Sequence, residues 1–480
     1  MRGIWTTERI RAAEERLLAV TPEGALMHKA AFAVAVHAAE MLAEHTGRVS
    51  GRRVALLVGA GNNGGDALWA GAFLRRRNVS VTAILLKPEK AHAAGLAALR
   101  RAKGRVVSAE DGPAVLQTAD LVIDGIVGLS AHGGLRPDAA ALVEHVHAPV
   151  LAVDLPSGVE PDTGAVPGAA VTATRTVTFG ARKPVHVLNP ARCGRVELVD
   201  IGLDLDDPDL RQLDAADVGR AWPVPGPEDN KYSQGVTGIA AGSATYPGAA
   251  VLATGSAVLA TSGMVRYAGP AADVVRSRWP EVVATGSVTD AGRVQAWVVG
   301  PGIGTGSEGR EVLTHVLGAG VPVCADADAT TLMAHRPDVL DARDPGTPLV
   351  LTPHAGEFER LMGRPPGEDR VASVREAAAK YDAVVLLKGN VTIVADPDGR
   401  LLVNVARGSW LATAGSGDVL SGLIGSLLAS GLDPWLAAGC AAYVHSLAGD
   451  LAARGVPVSA SGILAAIPQA VRTLRVGLFE

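Results

Sequence analysis

Residues 411–431, LATAGSGDVLSGLIGSLLASG, set one carboxylate, Asp418, directly after the small residues Gly415, Ser416 and Gly417. It heads an apolar series, Val419, Leu420, Leu423, Ile424, Leu427 and Leu428, that repeats at helical spacing. The first backbone N–H groups of a helix have no intrahelical partner, and with the positive end of the dipole they cradle anions such as phosphate. A carboxylate in the mouth of such a cradle raises the local electrostatic cost, and the chemistry that uses it there is removal of a proton from a substrate hydroxyl. The competing reading is a helix cap, with Gly431 closing the far end.

Oxygen-bearing residues also end several apolar runs in the first half. VALLVGAG leads into Asn62-Asn63-Gly64-Gly65-Asp66, LVID ends in Asp124 before the glycine-rich segment Gly125-Ile126-Val127-Gly128, and VLAVDLPSG brings Asp154 and Ser157. Gly59, Gly61 and Gly64 match a dinucleotide fingerprint, but the acidic residue expected after the next strand is absent, since that strand runs into Lys87-Pro88. Asn63, Asp124 and Ser157 are hard oxygen donors of low total charge, a set that suits a monovalent or divalent cation. In the second half, Asp326, Asp328, His354 and Glu357 follow strand-like runs, and Lys388-Gly389-Asn390-Val391-Thr392 joins two of them.

The elements that must carry these residues are apolar runs of strand length alternating with helical segments, the pattern of mainly parallel sheets covered on both faces. In such folds ligands gather at the carboxyl ends of the strands. The first fifty residues read as two helices, from Thr7 to Val20 and from Ala25 to His45, with nothing catalytic evident. Three prolines and a glycine in residues 223–227 mark a linker, so domains are expected over residues 1–215 and 222–480.

A chain of 480 residues, 48% hydrophobic, supports two large cores. Its net charge of −5 is spread over both signs without a basic run, which argues against nucleic acid and anionic membrane as partners. Three distant cysteines and the lack of a signal-peptide pattern point to the cytoplasm. Only eight of the 44 basic residues are lysines, so a lysine is informative, and Lys231 and Lys388, in stretches that carry glycine, are the two to follow. Lys87, Lys90 and Lys103 read as surface cations.

The set GNNGGD, the Asp-ended strand with its glycine-rich loop, and DLPSGVEPDTG resembles the N-terminal epimerase domain of the NAD(P)H-hydrate repair enzymes over about the first 210 residues. The resemblance implies that Asn62, Asn63, Gly64, Gly65, Asp66, the loop Gly128, Leu129, Ser130, Ala131, His132, Gly133 and Gly134, and Asp154 contact the hydrated nicotinamide dinucleotide. It further implies K⁺ at Asn63, Asp124 and Ser157, with Asp154 as acid/base for interconverting the R and S hydrates.

The later series YPGAAVL, GPGIG, DADA, TPHAGEF, LKGNVT and ATAGSGDVL resembles the nucleotide-dependent NAD(P)H-hydrate dehydratase domain of the ribokinase-like superfamily. By that resemblance Ala249, Gly304, His354 and Asp418 line the hydrate site, while Lys388, Gly389, Asn390, Val391, Thr392 and Gly417 hold the nucleotide. Asp418 would take the hydroxyl proton, and the N–H groups of residues 414–417 would stabilise the transferring phosphoryl group. The fold expected is therefore α/β in two domains, an N-terminal Rossmann-like three-layer α/β/α domain and a C-terminal ribokinase-like α/β/α domain. The implied partners are NADHX or NADPHX with ADP or ATP and Mg²⁺, in a homo-oligomer. A small-molecule kinase that keeps its phosphorylated product, or a non-catalytic nucleotide sensor, are the alternatives to which the same residues are open.

Overall fold

In the computed structural model, residues 1–129, 133–406 and 408–476 are described. The chain divides into two compact units, Gly3–Leu210 and a second formed by Met1–Arg2 with Arg211–Glu480.

The first unit opens with helices α1 (Thr7–Leu18) and α2 (Ala25–Thr46), the latter closed by Gly47 at φ 74°. Then come β1 (Arg53–Val58), α3 (Asn62–Arg76), β2 (Ser80–Leu85), β3 (Arg105–Ser108), β4 (Leu121–Gly125), β5 (Val150–Val153), β6 (Arg175–Phe179) and β7 (Arg195–Val199). All pair in parallel, in the order β3-β2-β1-β4-β5-β6-β7. This is the doubly wound arrangement, with its topological switch between β1 and β4. Side-chain alternation along β1 makes the three layers. Val54, Leu56 and Val58 join the core under α2 and α3, while Ala55 and Leu57 join a separate core with Leu116 and Leu142. The half-exposed edge strand β3 is too short and too polar to be evident in the sequence.

The second unit carries β8 (Val236–Ala240), α4 (Pro247–Ala260), β9 (Met264–Ala268), β10 (Val283–Thr285), β11 (Ala296–Val299), β12 (Val323–Ala325), β13 (Leu349–Leu351), α5 (Ala355–Met362), β14 (Val384–Leu387), β15 (Val391–Ala395) and β16 (Leu401–Val405). Helices α6 (Ser416–Ala429), α7 (Pro434–Ala453) and α8 (Ala460–Val476) follow its last strand. Its sheet runs β16-β15-β14-β13-β12-β11-β8-β9-β10, parallel except where β15 pairs antiparallel with β14 and with β16. The short strand Leu210–Gln212 extends it beside β16 through the pair Leu402 and Arg211. The apolar face of α6 is buried in the main core. Two glycines, which cost a helix interior roughly 1 kcal/mol each relative to alanine, allow its close approach. A Cβ at Gly422 would lie 2.2 Å from the Ala253 carbonyl oxygen of α4, and one at Gly425 would lie 2.1 Å from Val298 Cγ2 of β11. Among the described residues no helix is long and apolar enough to cross a membrane.

Because a backbone oxygen cannot step aside as a side chain can, Gly422→Ala is expected to destabilise the second unit by about 1–3 kcal/mol. A lowered unfolding midpoint for that unit checks this; an unchanged midpoint would mean that α4 and α6 can part without loss.

Candidate functional site

The first constellation sits at the switch point. Gly59, leaving β1, has no room for a side chain, since its Cβ would fall 1.7 Å from the Ile126 carbonyl oxygen beyond β4. Beside that close approach lie Asn63 of α3, Asp124 in β4 and Ser157 after β5. Ser157 donates to Asp124 from its backbone N–H (2.8 Å) and its hydroxyl (2.7 Å), while Asn63 Nδ2 donates to the carbonyls of Val127 (2.9 Å) and Val153 (2.7 Å). Burial pushes the Asp124 carboxyl up from its ordinary value, against the hydrogen bonds from Ser157 and Ile126. One carboxylate among neutral oxygens, with the Asn63 carbonyl turned to Gly128, fits a weakly held monovalent ion better than a divalent one.

Asp154 follows β5 with φ 70°, a left-handed conformation that is costly for a residue with a side chain. Its surroundings hold it there. The Lys183 ammonium reaches Asp154 Oδ1 at 2.5 Å, Thr178 Oγ1 at 2.8 Å and the Phe179 carbonyl at 3.2 Å, so its three protons are all engaged. The Thr178 hydroxyl also lies 2.9 Å from Asp154 Oδ1, which leaves Oδ2 as the carboxylate's other face. His186 ties both partners by their backbones. Its Nδ1 accepts from the Lys183 N–H (3.0 Å), so its Nε2–H donates to the Asp154 carbonyl (2.8 Å). Burial and the Lys183 charge push His186 down to about 3, and it stays neutral.

Beside these strand ends lies a cavity of about 410 Å³ whose lining includes Gly61, Gly128, Gly134 and Gly158, with Lys87 and Arg136 as its cations. Lys87, assigned to the surface from sequence, therefore faces the cavity. Asn62 is exposed in the first turn of α3, and Gly64, Gly65 and Asp66 are buried behind it. Ser130, Ala131 and His132 lie outside the described residues; Leu129, Gly133 and Gly134 flank them. The N-terminal segment, in which the sequence shows nothing catalytic, docks on this region. The α1 residue Thr7 donates from its N–H (2.8 Å) and hydroxyl (2.6 Å) to Asp162, and Arg11 donates to the Leu129 carbonyl at 2.5 Å. Glu14, two turns along the same face, is raised from its ordinary value by burial and by Asp154, against the charge of Lys183.

The second constellation is built around α6. Its N-cap is Gly415 at φ 83° and makes no side-chain cap, so Asp418 is not a capping residue. The Ser416 N–H is drawn to the Thr413 carbonyl (3.2 Å), which removes it from the anion cradle, and the Ser416 hydroxyl meets His445 Nε2 at 3.1 Å. Asp326, after β12, accepts from Lys388 Nζ (2.6 Å) and the Ser421 hydroxyl (2.7 Å). Glu357 stands 3.5 Å from the same ammonium. Burial works against the Lys388 charge, but Asp326 and Glu357 outweigh it and hold the ammonium above its ordinary value. A Cβ on Gly417 would lie 3.5 Å from both Lys388 Nζ and Asp326 Oδ2.

Burial, with Asp326, pushes Asp418 up to about 7 against the opposing charge of Lys388, and Asp328 and Glu357 add to the rise. That value is near the optimum for a base working at neutral pH. Asp328 accepts from the Gly304 N–H (2.9 Å), and Gly302 brings Ala249 to within 3.3 Å of its would-be Cβ, so the GPGIG turn and the start of α4 adjoin. His354 caps α5: its Nδ1 accepts from the N–H groups of Gly356 (3.0 Å) and Glu357 (3.4 Å), and its imidazole remains half exposed. Gly389 and Asn390 are exposed between β14 and β15, whereas Val391 and Thr392 belong to β15. Lys231, singled out with Lys388, is exposed and its ammonium lies over the Tyr232 ring. Among the described residues no group of three or more His, Cys, Asp or Glu side chains could cage a metal ion.

The sequence reading missed Lys183, Thr178, His186 and Glu14. Lys183 had available signals in the rarity of lysine in this chain and in Gly180 three residues before it.

Two family models match, in order along the chain. The model described as YjeF-related protein N-terminus covers residues 23–185, and the one described as NAD(P)H-hydrate dehydratase covers residues 237–469. The chain is 56% identical over 435 residues to a bifunctional NAD(P)H-hydrate repair enzyme of Mycobacterium tuberculosis, covering 90% of each chain. It is 54% identical to the Mycobacterium leprae counterpart, covering 99% of this chain and 100% of that one. A ribokinase-like superfamily protein from Enterococcus faecalis shares the fold of the second unit, with a TM-score of 0.51 at 23% identity over 56% of this chain and 98% of that one.

Removing one partner of a buried ion pair strands the other charge, so Lys183→Met is expected to destabilise the first unit by about 3–5 kcal/mol. Adding Asp154→Asn to it should recover part of that loss in the same denaturation measurement. Additive losses would show that the pair is not coupled.

Proposed function

Because the chain belongs to the family of bifunctional NAD(P)H-hydrate repair enzymes, we propose that it returns both epimers of hydrated NADH or NADPH to the reduced cofactor. The first unit interconverts the R and S hydrates, and the second dehydrates the S form with ADP or ATP, giving AMP or ADP and phosphate. The observation that carries the reading is Asp418, an uncapped carboxyl at the start of α6 that titrates near neutrality beside the Lys388–Asp326 pair.

Asp418 removes the proton from the hydrate hydroxyl, and that oxygen attacks the terminal phosphorus as the shortened nucleotide leaves. The phosphate ester, a better leaving group than hydroxide, then departs with the C–O electron pair, and loss of a proton from the neighbouring carbon restores the double bond. The N–H groups at the start of α6 and the Lys388 ammonium supply fixed positive potential near the transferring group. Mg²⁺ carried by the nucleotide neutralises phosphate charge. Ala249, Gly304 and His354 border the hydrate, and Gly389, Asn390, Val391, Thr392 and Gly417 border the nucleotide. In the first unit Asn62, Asn63, Gly64, Gly65, Asp66 and the second glycine-rich loop bind the hydrate, Asp154 is the acid/base, and Asn63, Asp124 and Ser157 hold K⁺ close by. Three buried free thiols, Cys193, Cys324 and Cys440, support a reducing cytoplasmic setting. A homo-oligomer is part of the same proposal.

Asp418→Asn is expected to abolish nucleotide-dependent dehydration of the S hydrate while R and S still interconvert, as followed by separation of the two epimers. Conversely, Asp154→Asn should confine recovery to the S fraction of a mixture. Loss of both activities in either variant would contradict the division of labour. In the unaltered protein the dehydration rate should rise with pH through about 7 as Asp418 becomes anionic. A rate independent of pH across neutrality would remove Asp418 as the base.

A further inference from the structure

The first site contains a carboxyl group that the reading above uses only as a binding residue. Asp66, at the start of the second turn of α3, is 6% exposed, and its Oδ1 is buried with no hydrogen-bond partner. A charged carboxylate with an unsatisfied buried oxygen is costly, and protonation removes that cost. Lys183 gives it no relief, because its three protons go to Asp154, Thr178 and Phe179. The other titratable neighbours are Asp154 from the end of β5 and Glu14 from α1, and both repel a second negative charge. His92, packed on Gly65, turns its Nδ1 to the Gly95 N–H. Burial, with Asp154 and Glu14, therefore holds the Asp66 carboxyl well above the usual carboxylate range. One lysine thus pairs with Asp154 and makes no bond to Asp66, so burial favours the protonated form of Asp66 while Asp154 keeps its counter-charge, the pattern in which one carboxyl serves as acid and the other as base.

We propose that Asp66 is the acid that works with Asp154 as base in interconverting the R and S hydrates. The inference rests on the epimerase reading of the first unit. Water added across the ring double bond next to the ring nitrogen leaves a hydroxyl on the carbon bonded to that nitrogen. The Asp66 proton passes to the hydroxyl oxygen, and the C–O bond breaks with its electron pair leaving as water. The nitrogen lone pair meanwhile forms a C=N bond, giving a ring cation. Water then adds to the opposite face, the C=N pair returns to nitrogen as the new C–O bond forms, and the proton released goes to Asp154. One proton leaves Asp66 and one arrives at Asp154, and exchange with water or passage in the reverse direction resets the pair.

Asparagine has the shape and neutrality of a protonated aspartic acid but no proton to give, so Asp66→Asn separates a structural role from this one. In the full-length protein, without nucleotide, kcat for R-to-S conversion is expected to fall at least about 100-fold while KM changes by less than about threefold. Dehydration of pure S hydrate should be unchanged. An unaltered protein that does not interconvert the epimers would remove the epimerase reading itself. An active unaltered protein with Asp66→Asn within about threefold of its kcat would overturn the proposal alone. If Asp66→Asn does not fold, Asp66→Ala with added small solutes decides the matter. Restoration of turnover by acetic acid and not by acetamide supports proton donation, whereas equal restoration by both, or by neither, overturns it.

Discussion

A buried ionised carboxylate is costly without a counter-charge, and each unit supplies one lysine to one aspartate that follows a parallel strand. Lys183 reaches Asp154 at 2.5 Å in the first, and Lys388 reaches Asp326 at 2.6 Å in the second. Without such partners the desolvation of these aspartates would work against the fold itself. The strand ends can therefore carry chemistry only because later segments return a cation to them: residue 183 to an aspartate 29 positions earlier, and residue 388 to one 62 positions earlier.

The two pairs have different consequences. In the first unit the lysine grips Asp154 itself, and with Thr178 and His186 it holds both the carboxylate and a backbone at φ 70°. In the second it grips Asp326, and Asp418 is left among Asp326, Asp328 and Glu357, where burial and their charges carry it to about 7. The lysine thus fixes one aspartate in place in the first unit, while in the second burial and Asp326 raise another into the range of a base against the lysine's charge. Close backbone packing makes both possible: Gly59 against Ile126 closes the first site, and Gly422 and Gly425 seat α6 between α4 and the sheet.

Much of this was legible in the sequence, because runs of strand length ending in Asp, Asn, Ser and Gly are themselves the signal of a ligand-binding strand end. Asp418 could not be separated from a helix cap on sequence alone, and the absence of a side-chain cap at Gly415 separates them. The rarity of lysine drew attention to Lys231, which lies exposed over Tyr232, but applied equally to Lys183, which is fully buried. A lysine's burial is a property of the tertiary fold, and nothing in ARKPVH encodes it locally. The docking of α1 was illegible for the same reason: Thr7 meets Asp162 and Arg11 meets Leu129 across more than a hundred residues. His354 read as a strand-end ligand and is also the cap of α5, two roles that one spacing serves equally.

Two chemically distinct sites on one chain make sense when the product of one is the substrate of the other, and that coupling is the centre of the account. The direct test is to give the purified protein a mixture of R and S NADHX with Mg²⁺, K⁺ and ADP or ATP, and to follow the return of reduced-nicotinamide absorbance. Complete, nucleotide-dependent recovery with release of inorganic phosphate is the predicted result. Recovery that stops at the S fraction would contradict an active first site, and a stable phosphorylated product would contradict the dehydratase.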